Sequence, residues 1–141
     1  MVSTGGTGIA RHLERGMRGE VAAVSFLLDH QYKIMERNWR AKAGEIDIIC
    51  SKDNLVIFAE VKTRSINSRT LPGEALTKKK QARLVRTASL YLSDKRLWHL
   101  QTRFDLLSVF ARQNSFQVEH YTNVIEISHT MGSCHASWQP W

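Results

Sequence analysis

The chain has 141 residues, of which 43% are hydrophobic and 23% charged, and this composition is typical of one globular domain with its own core. No apolar run approaches the roughly 18 residues of a membrane-spanning helix, and the first 16 residues contain no stretch resembling a secretory signal. Two cysteines without a CxxC spacing favour a reducing compartment over a disulfide framework. We therefore expect a cytoplasmic protein that does not associate with membranes.

The net charge indicates a class of partner. Twenty Lys and Arg against thirteen Asp and Glu leave +7. Such an excess favours a polyanion such as nucleic acid, although many basic proteins bind none. The charge alone therefore does not establish a function.

The first part of the chain predicts a leader and a helix. Residues 1–15 are rich in small residues and are expected to be flexible, whereas residues 17–30 show helical periodicity. Glu20 continues the apolar stripe of this helix by one turn, so its side chain is expected to face the sheet. The other residues of that stripe are Val24, Leu27 and Leu28.

The rest of the chain predicts strands and a second helix. A polar loop is expected at 65–73 and a helix at 74–93, whereas 124–128 is ambiguous and 129–141 is expected to be a disordered tail. Five strands are predicted, at 32–40, 45–51, 55–63, 102–111 and 116–121. This order predicts an α/β fold with one mixed sheet flanked by helices, in a single domain over 16–128.

The segment GEIDIICSKDNLVIFAEVKTR, residues 44–64, contains charged side chains within two apolar strands. If residues 53–54 form a two-residue hairpin turn, Asp47 lies directly opposite Glu60, and Lys62 lies further along the same face. Opposed carboxylates with Cβ atoms about 5 Å apart destabilise a sheet unless a cation lies between them, and Mg²⁺ or Mn²⁺ suits oxygen ligands. The opposite face is expected to be apolar, with the pairs Ile46–Val61, Ile48–Ala59 and Cys50–Ile57.

Three structural interpretations compete with a metal site. Asp47 could form an ion pair with Lys62, or Glu60 could lie at a solvated strand end. Alternatively, the charges could belong to an edge strand that uses them against aggregation. The pattern alone leaves these alternatives open.

Seven short motifs together resemble one protein family. The Asp followed by Glu-x-Lys resembles the PD-(D/E)xK signature of restriction endonuclease-like nucleases. The complete series resembles the YraN-like family of uncharacterised bacterial proteins, which is similar to archaeal Holliday-junction resolvases. The motifs are RGE (18–20), RNWR (37–40), GEIDII (44–49), FAEVKTR (58–64), GEAL (73–76), KKQARL (79–84) and RFDLLSV (103–109). Seven motifs in order are specific, although each alone is weak.

The resemblance implies a restriction endonuclease-like core and a catalytic set. Asp47 and Glu60, with the Val61 carbonyl, would bind Mg²⁺ or Mn²⁺. Lys62 would orient or activate water or stabilise the scissile phosphate, and Glu20 would hold a water molecule or a second ion. The expected function is an Mg²⁺-dependent nuclease that hydrolyses phosphodiester bonds in DNA, with branched or repair intermediates as candidate substrates.

A basic stripe on the second predicted helix suggests a surface for nucleic acid. Lys79, Arg83 and Arg86 recur with helical spacing and have no acidic partner in the stripe. Lys80 lies instead at the edge of the apolar stripe that contains Leu84 and Ala88, and it is expected to point toward the sheet and the site. Lys78 is interpreted as a solvated residue. The residues expected to contact phosphates are Arg64, Arg69, Lys79, Lys80, Arg83 and Arg86.

Other functions and other residue roles remain possible at this point. The main alternative is a non-catalytic nucleic-acid-binding module of the same fold, and a third possibility is an adaptor that uses the tail. Junction cleavage would favour a homodimer, although no sequence feature indicates one. Trp39 is expected in the core, Arg103 and Asp105 are expected to form a structural pair, and His120 has no metal-ligand spacing.

Overall fold

The computed structural model describes residues 5–67 and 72–126, so the expected tail lies outside the described residues. The described elements are α1 (Gly5–Asp29), β1 (Lys33–Ala41), β2 (Gly44–Lys52), β3 (Leu55–Ser65), α2 (Pro72–Ala75), α3 (Lys78–Lys95), β4 (Gln101–Ala111) and β5 (Phe116–Tyr121). Each predicted strand is present, and residues 124–126 form none. No helix in the described ranges is both long and apolar enough to cross a membrane.

The five strands form one mixed sheet in the order β1-β2-β3-β4-β5. Neighbouring strands are antiparallel except β3 and β4, which are parallel and therefore need a crossover connection. The chain makes this crossover through α2 and α3. The predicted α/β class with one mixed sheet flanked by helices is confirmed, and β3 is its central strand.

Two apolar clusters cover the two faces of the sheet. On one face, Ala23 and Leu27 of α1 pack with inward residues of β2 and β3. These residues include Ile48, Cys50, Ile57 and Ala59. On the other face, residues of α3 pack against the strands, namely Leu84, Ala88, Tyr91 and Leu92 against Ile49, Val56, Phe58 and Phe104. The sheet is therefore buried between the two long helices.

The predicted apolar face is correct at two cross-strand pairs and wrong at a third. Ile48–Ala59 and Cys50–Ile57 face α1 as expected. Ile46 instead belongs to the cluster formed with α3, although it was expected to share the α1 face. Regular β2–β3 pairing ends at Ile48, whereas Ile46 remains paired with Trp39 of β1, and both residues contribute to the cluster on the α3 side.

The first helix is longer than its apolar periodicity predicts. It begins at Gly5 rather than near residue 17, so residues 5–15 of the expected leader are helical. Arg18 Nη2 lies 2.7 Å from Glu14 Oε1 in an i,i+4 ion pair. Such pairs stabilise a helix by a few tenths of a kcal/mol and offset part of the cost of its glycines, about 1 kcal/mol each.

The predicted helix over 74–93 is divided into α2 and α3. Thr77 separates them because its hydroxyl caps α3, accepting a hydrogen bond from the Lys80 N–H at 3.3 Å. At the other end, Arg96 adopts a left-handed conformation and ends the helix. The predicted core position of Trp39 is confirmed, since its ring packs edge-to-face on Tyr91.

Candidate active site

The β2–β3 hairpin opens at the end where the acidic residues lie. Its pairing runs from Lys52–Leu55 to Ile48–Ala59, in the predicted register. Beyond these pairs, the Val61 N–H donates a hydrogen bond to Asp47 Oδ2 at 2.8 Å. The carboxylate thus accepts a strand N–H directly, which fixes Asp47 beside β3.

Asp47 and Glu60 lie together at this open end. Both line a cavity of about 220 Å³, and Glu60 in its protonated form donates a hydrogen bond to Asp47. The remaining lining residues are Glu45, Leu76, Lys80, Arg83 and Leu84. The sequence prediction that the hairpin brings the two carboxyl groups onto one face is confirmed.

The electrostatic environment disfavours the charged form of both carboxyl groups. Burial raises the pKa of Glu60, and the neighbouring Asp47 raises it further. Burial likewise raises the pKa of Asp47, although the hydrogen bond from the Val61 N–H opposes this change. The protein alone therefore does not compensate two negative charges at this position, and a bound cation would do so.

The third residue of the signature, Lys62, lies beside the two acids. Burial lowers the pKa of the Lys62 ammonium group, and the nearby charge of Lys80 lowers it further, whereas Glu60 opposes both effects. Lys80 also stabilises the charged form of Glu60 electrostatically. The predicted orientation of Lys80 toward the site is thus confirmed.

The first helix brings Glu20 next to this group. A Cβ atom at Gly19 would overlap the Thr63 hydroxyl of β3, so the close approach of α1 to the sheet requires glycine there. Burial raises the pKa of Glu20, the charge of Asp47 adds to this effect, and a hydrogen bond from the Asn38 side chain opposes it. Glu20 is therefore adjacent to the cavity rather than part of its lining.

The structural alternatives for these charges are not supported. Neither β2 nor β3 is an edge strand. Glu60 lies inside β3 and is aligned with Leu106 of β4, so it does not occupy a strand end. Among the described residues, no ion pair within 4 Å joins Asp47 to Lys62.

Two polar neighbours of the site, Glu45 and Asn38, were not among the predicted site residues. Glu45 lines the cavity and raises the pKa of Asp47, while its carboxylate lies 3.5 Å from Arg40. Its position two residues before Asp47 on the same strand was the available signal. Asn38, the partner of Glu20, has a φ of 50° and gave no signal in the sequence.

The donor set fits a small hard cation with open positions better than a closed metal cage. Within the described ranges, no group of three or more His, Cys, Asp or Glu side chains is arranged to hold a metal ion. Mg²⁺ commonly binds proteins through one or two carboxylates and keeps several water ligands. The contacting carboxyl groups of Asp47 and Glu60 supply such a pair, so these residues fit Mg²⁺ or Mn²⁺.

The basic residues of α3 divide into two groups. Lys80 and Arg83 line the cavity, whereas Lys79 and Arg86 are exposed outside it. The Arg83 stem packs over Gly44, where an added Cβ would lie 3.0 Å from Arg83 Cγ and Cδ. Arg64 lies on β3, and its charge acts on Lys62; Arg69 lies outside the described residues.

A second acidic site, on β4, has a different character. The fully buried Asp105 accepts hydrogen bonds from the Arg103 side chain at 2.7 and 2.8 Å and from the Asn123 N–H at 3.0 Å. His120 Nε2 lies 2.7 Å from the same carboxylate. These hydrogen bonds outweigh the effect of burial and leave the pKa of Asp105 lowered. The predicted structural pair of Arg103 with Asp105 is confirmed.

Comparison with known proteins supports the family predicted from the motifs. Residues 19–109 match the family described as "Uncharacterised protein family UPF0102". A UPF0102 protein of Lawsonia intracellularis is 40% identical over 128 residues, which cover 91% of this chain and 97% of that protein. One from Nitratidesulfovibrio vulgaris (strain DP4) is 39% identical over 132 residues, covering 94% and 98%, respectively. A third, from Carboxydothermus hydrogenoformans, is 36% identical over 113 residues, covering 80% and 96%. The chain therefore belongs to the UPF0102 family of bacterial proteins.

Proposed function

We propose that this protein is an Mg²⁺- or Mn²⁺-dependent nuclease that hydrolyses phosphodiester bonds in DNA. The observation that carries the proposal is the contact between the carboxyl groups of Asp47 and Glu60 in a cavity that basic side chains also line. A protein that only binds a polyanion gains little from two adjacent acids facing that ligand. Without a cation, the two acids repel the phosphates of the nucleic acid. A cation bound between the acids would attract those phosphates instead.

Asp47 and Glu60 would hold the cation, with the Val61 carbonyl as the further donor predicted from the sequence. When bound, the cation supplies Lewis-acid stabilisation of the negative charge that develops on the phosphate. The Val61 N–H bond to Asp47 Oδ2 fixes one acid before any ligand arrives. This preorganisation reduces the cost of assembling the site.

Lys62 would act on the attacking water or on the phosphate oxygens. Burial lowers the pKa of its ammonium group, so Lys62 Nζ gives up a proton more readily than a solvated lysine. Water adds to phosphorus, one P–O bond breaks, and the leaving oxygen takes a proton, which yields a phosphate monoester and a hydroxyl group. Glu20, held by Asn38, would position a water molecule from the α1 side.

The cationic residues around the cavity would bind the nucleic acid backbone. Lys80 and Arg83 lie at the cavity itself, and the exposed Lys79 and Arg86 extend the basic surface along α3. Cationic side chains that contact phosphates supply sequence-independent affinity. Arg64 and Arg69 remain predicted substrate contacts close to the catalytic strand.

Cleavage assays with purified protein test this proposal. Labelled DNA junctions, flaps and single strands are incubated with and without Mg²⁺, and we expect cleavage only with the metal. Asp47→Ala and Lys62→Ala should each reduce the rate by about 10³-fold, because the site supplies several kcal/mol of transition-state stabilisation. Asp53→Asn, in the exposed hairpin turn, is the matched control and should retain the wild-type rate, because asparagine tolerates the φ of 54° at this position.

Calorimetry with Mn²⁺ separates a nuclease from a non-catalytic binding module. A metal site predicts saturable binding that is lost in Glu60→Ala but kept in Asp53→Asn. DNA binding without Mn²⁺ binding would instead support the binding module. Cleavage that is unchanged in Asp47→Ala and Lys62→Ala would contradict the assignment of these catalytic residues.

A further inference from the structure

The outer face of α1 carries an apolar stripe that the described part of the chain does not cover. Its four residues and the exposed fractions of their surfaces are Leu13 (65%), Met17 (69%), Val21 (57%) and Leu28 (55%). At 3.6 residues per turn these positions lie on one side of the helix, over a length of about 22 Å. Four such residues in a row form a contiguous patch, unlike the single exposed apolar residues that are common on protein surfaces.

This outer stripe is distinct from the face with which α1 packs on the sheet. Ala23 and Leu27 are buried in the cluster shared with β2, β3 and β4. Val24 is half-buried and lies between the two faces. The helix is therefore apolar on two sides, which is typical of a helix that also contacts a second body.

We propose that the outer stripe is a homodimer interface in which two copies of α1 pack antiparallel about a two-fold axis near residues 20 and 21. Leu13 of one copy then lies opposite Leu28 of the other, and Met17 opposite Val24. The Val21 side chains of the two copies meet close to the axis. The stripe is thus complementary to itself, as an interface with two-fold symmetry requires.

The charges flanking the stripe favour this pairing and its direction. Arg11 and Asp29 are both exposed and project from the same flank, because they are eighteen residues, or five helical turns, apart. Antiparallel packing places Arg11 of one copy near Asp29 of the other, at both ends of the interface. Parallel two-fold packing would instead place this flank of the two copies on opposite sides of the interface, so Arg11 and Asp29 of different copies would not meet.

The size of the stripe sets the expected affinity. A helix pair of this length buries less surface than the roughly 1,200–2,000 Å² of a stable protein–protein interface. We therefore expect the two copies to associate weakly. We expect a dissociation constant on the order of 10 µM. Sedimentation equilibrium of the full chain from about 1 to 200 µM should then show a concentration-dependent monomer–dimer equilibrium.

Substitutions in the stripe test the interface. Met17→Glu and Val21→Glu should each raise the dissociation constant at least tenfold. Because of the two-fold symmetry, each substitution places two negative charges in the apolar interface. Leu90→Glu on α3, at an apolar residue 38% exposed outside the stripe, is the matched control and should remain dimeric. Circular dichroism and thermal unfolding confirm that each variant is folded. Equal effects of all three substitutions would overturn the proposal.

Cysteine cross-linking tests the direction of packing. In a Cys134→Ser background, Val21→Cys should form a disulfide-linked dimer under mild oxidation, because the two side chains meet near the axis. Leu13→Cys should not link to itself but should link to Leu28→Cys when the two proteins are mixed. Linkage of Leu13→Cys to itself without linkage to Leu28→Cys would overturn the antiparallel arrangement.

Two further results would assign the stripe to another occupant and overturn the proposal. One is a full chain that stays monomeric at 200 µM but dimerises after removal of residues 127–141, which would identify the C-terminal segment as the cover. The other is a monomer that co-sediments with anionic phospholipid vesicles through the stripe. Because these measurements do not use nuclease activity, they remain informative if the proposed function is wrong.

Discussion

The sheet contains two buried acidic sites whose carboxyl groups have pKa values shifted in opposite directions. At the open end of the β2–β3 hairpin, burial raises the pKa values of Asp47 and Glu60, and the charge of Asp47 raises that of Glu60 further. On β4, Asp105 is fully buried, but hydrogen bonds from His120, Arg103 and a backbone N–H leave its pKa lowered. The first site is left with uncompensated charge, whereas the second is compensated within the fold.

This difference distinguishes a structural site from the proposed functional one. A buried charge that the protein fully satisfies contributes to folding and leaves no capacity for a ligand. A pair of acids that the protein does not neutralise favours a ligand of opposite charge, and perturbed pKa values of this kind concentrate at functional sites. The comparison therefore predicts that substitution of Asp105 lowers stability, whereas substitution of Glu60 removes metal binding without lowering stability.

The largest effect on stability is expected at the compensated site. Asp105→Asn should lower the free energy of unfolding by about 3 kcal/mol, because it removes the negative partner of Arg103. Glu60→Gln should not lower it, since this change removes a repulsion with Asp47. Urea denaturation at pH 7 without divalent ions measures both values. Equal destabilisation by the two variants would contradict the comparison.

The pH dependence of stability should differ in sign between the two sites. The stability that ionised Asp105 contributes is present above the unfolded-state pKa, about 3.9, and is lost as the pH falls through the lowered folded pKa. The wild type should thus lose more stability on acidification than Asp105→Asn does. Urea denaturation between pH 2 and pH 7, a range set by these ordinary carboxyl pKa values, measures this difference.

For Glu60 the folded pKa is raised, so ionisation penalises the folded state as the pH rises above the ordinary value. The stability advantage of Glu60→Gln over the wild type should therefore grow from acidic to neutral pH. A constant difference across the same titration would show that neither burial nor the charge of Asp47 penalises ionised Glu60 in the folded state.

Divalent ions should stabilise the protein through the open end alone. At tenfold the dissociation constant, Mg²⁺ should raise the free energy of unfolding by about 1.4 kcal/mol. For a chain of this length, that corresponds to an increase of a few degrees in the thermal midpoint. Differential scanning calorimetry should show the increase in the wild type and not in Glu60→Gln. An increase of equal size in both proteins would place the ion elsewhere.

The smallest effect concerns the basic surface next to the open end. Lys79→Ala, Arg83→Ala and Arg86→Ala should each reduce the slope of log affinity against log salt by about 0.9, since each removes one phosphate contact. Lys78→Ala on the same helix and Lys52→Ala at the end of β2 are controls that should leave the slope unchanged. Fluorescence anisotropy with labelled duplex DNA in a salt series measures these slopes. Equal reductions in test and control variants would indicate that the basic stripe has no specific role.

Local sequence rules predicted the hairpin because its determinants are themselves local. The Asp53–Asn54 turn fixes the parity of cross-strand pairs, and a period of two then places Asp47 and Glu60 on one face. The same rule failed at Ile46, which lies beyond the regular β2–β3 pairs and belongs with its β1 partner Trp39 to the cluster on the α3 side. Apolar periodicity also missed the start of α1, which begins at Gly5 rather than near residue 17.

The sequence by itself determined the order of the elements, the register of the hairpin, the family and the set of acids that meet at its open end. These properties follow from periodicity, turn geometry and short motifs, all of which act between residues near one another in the chain or across one turn. Only the tertiary structure decided which acids are compensated and which helix faces stay exposed. Burial and charge compensation depend on distant segments, such as α1 beside β3 and His120 beside Asp105, whose proximity the folded chain establishes.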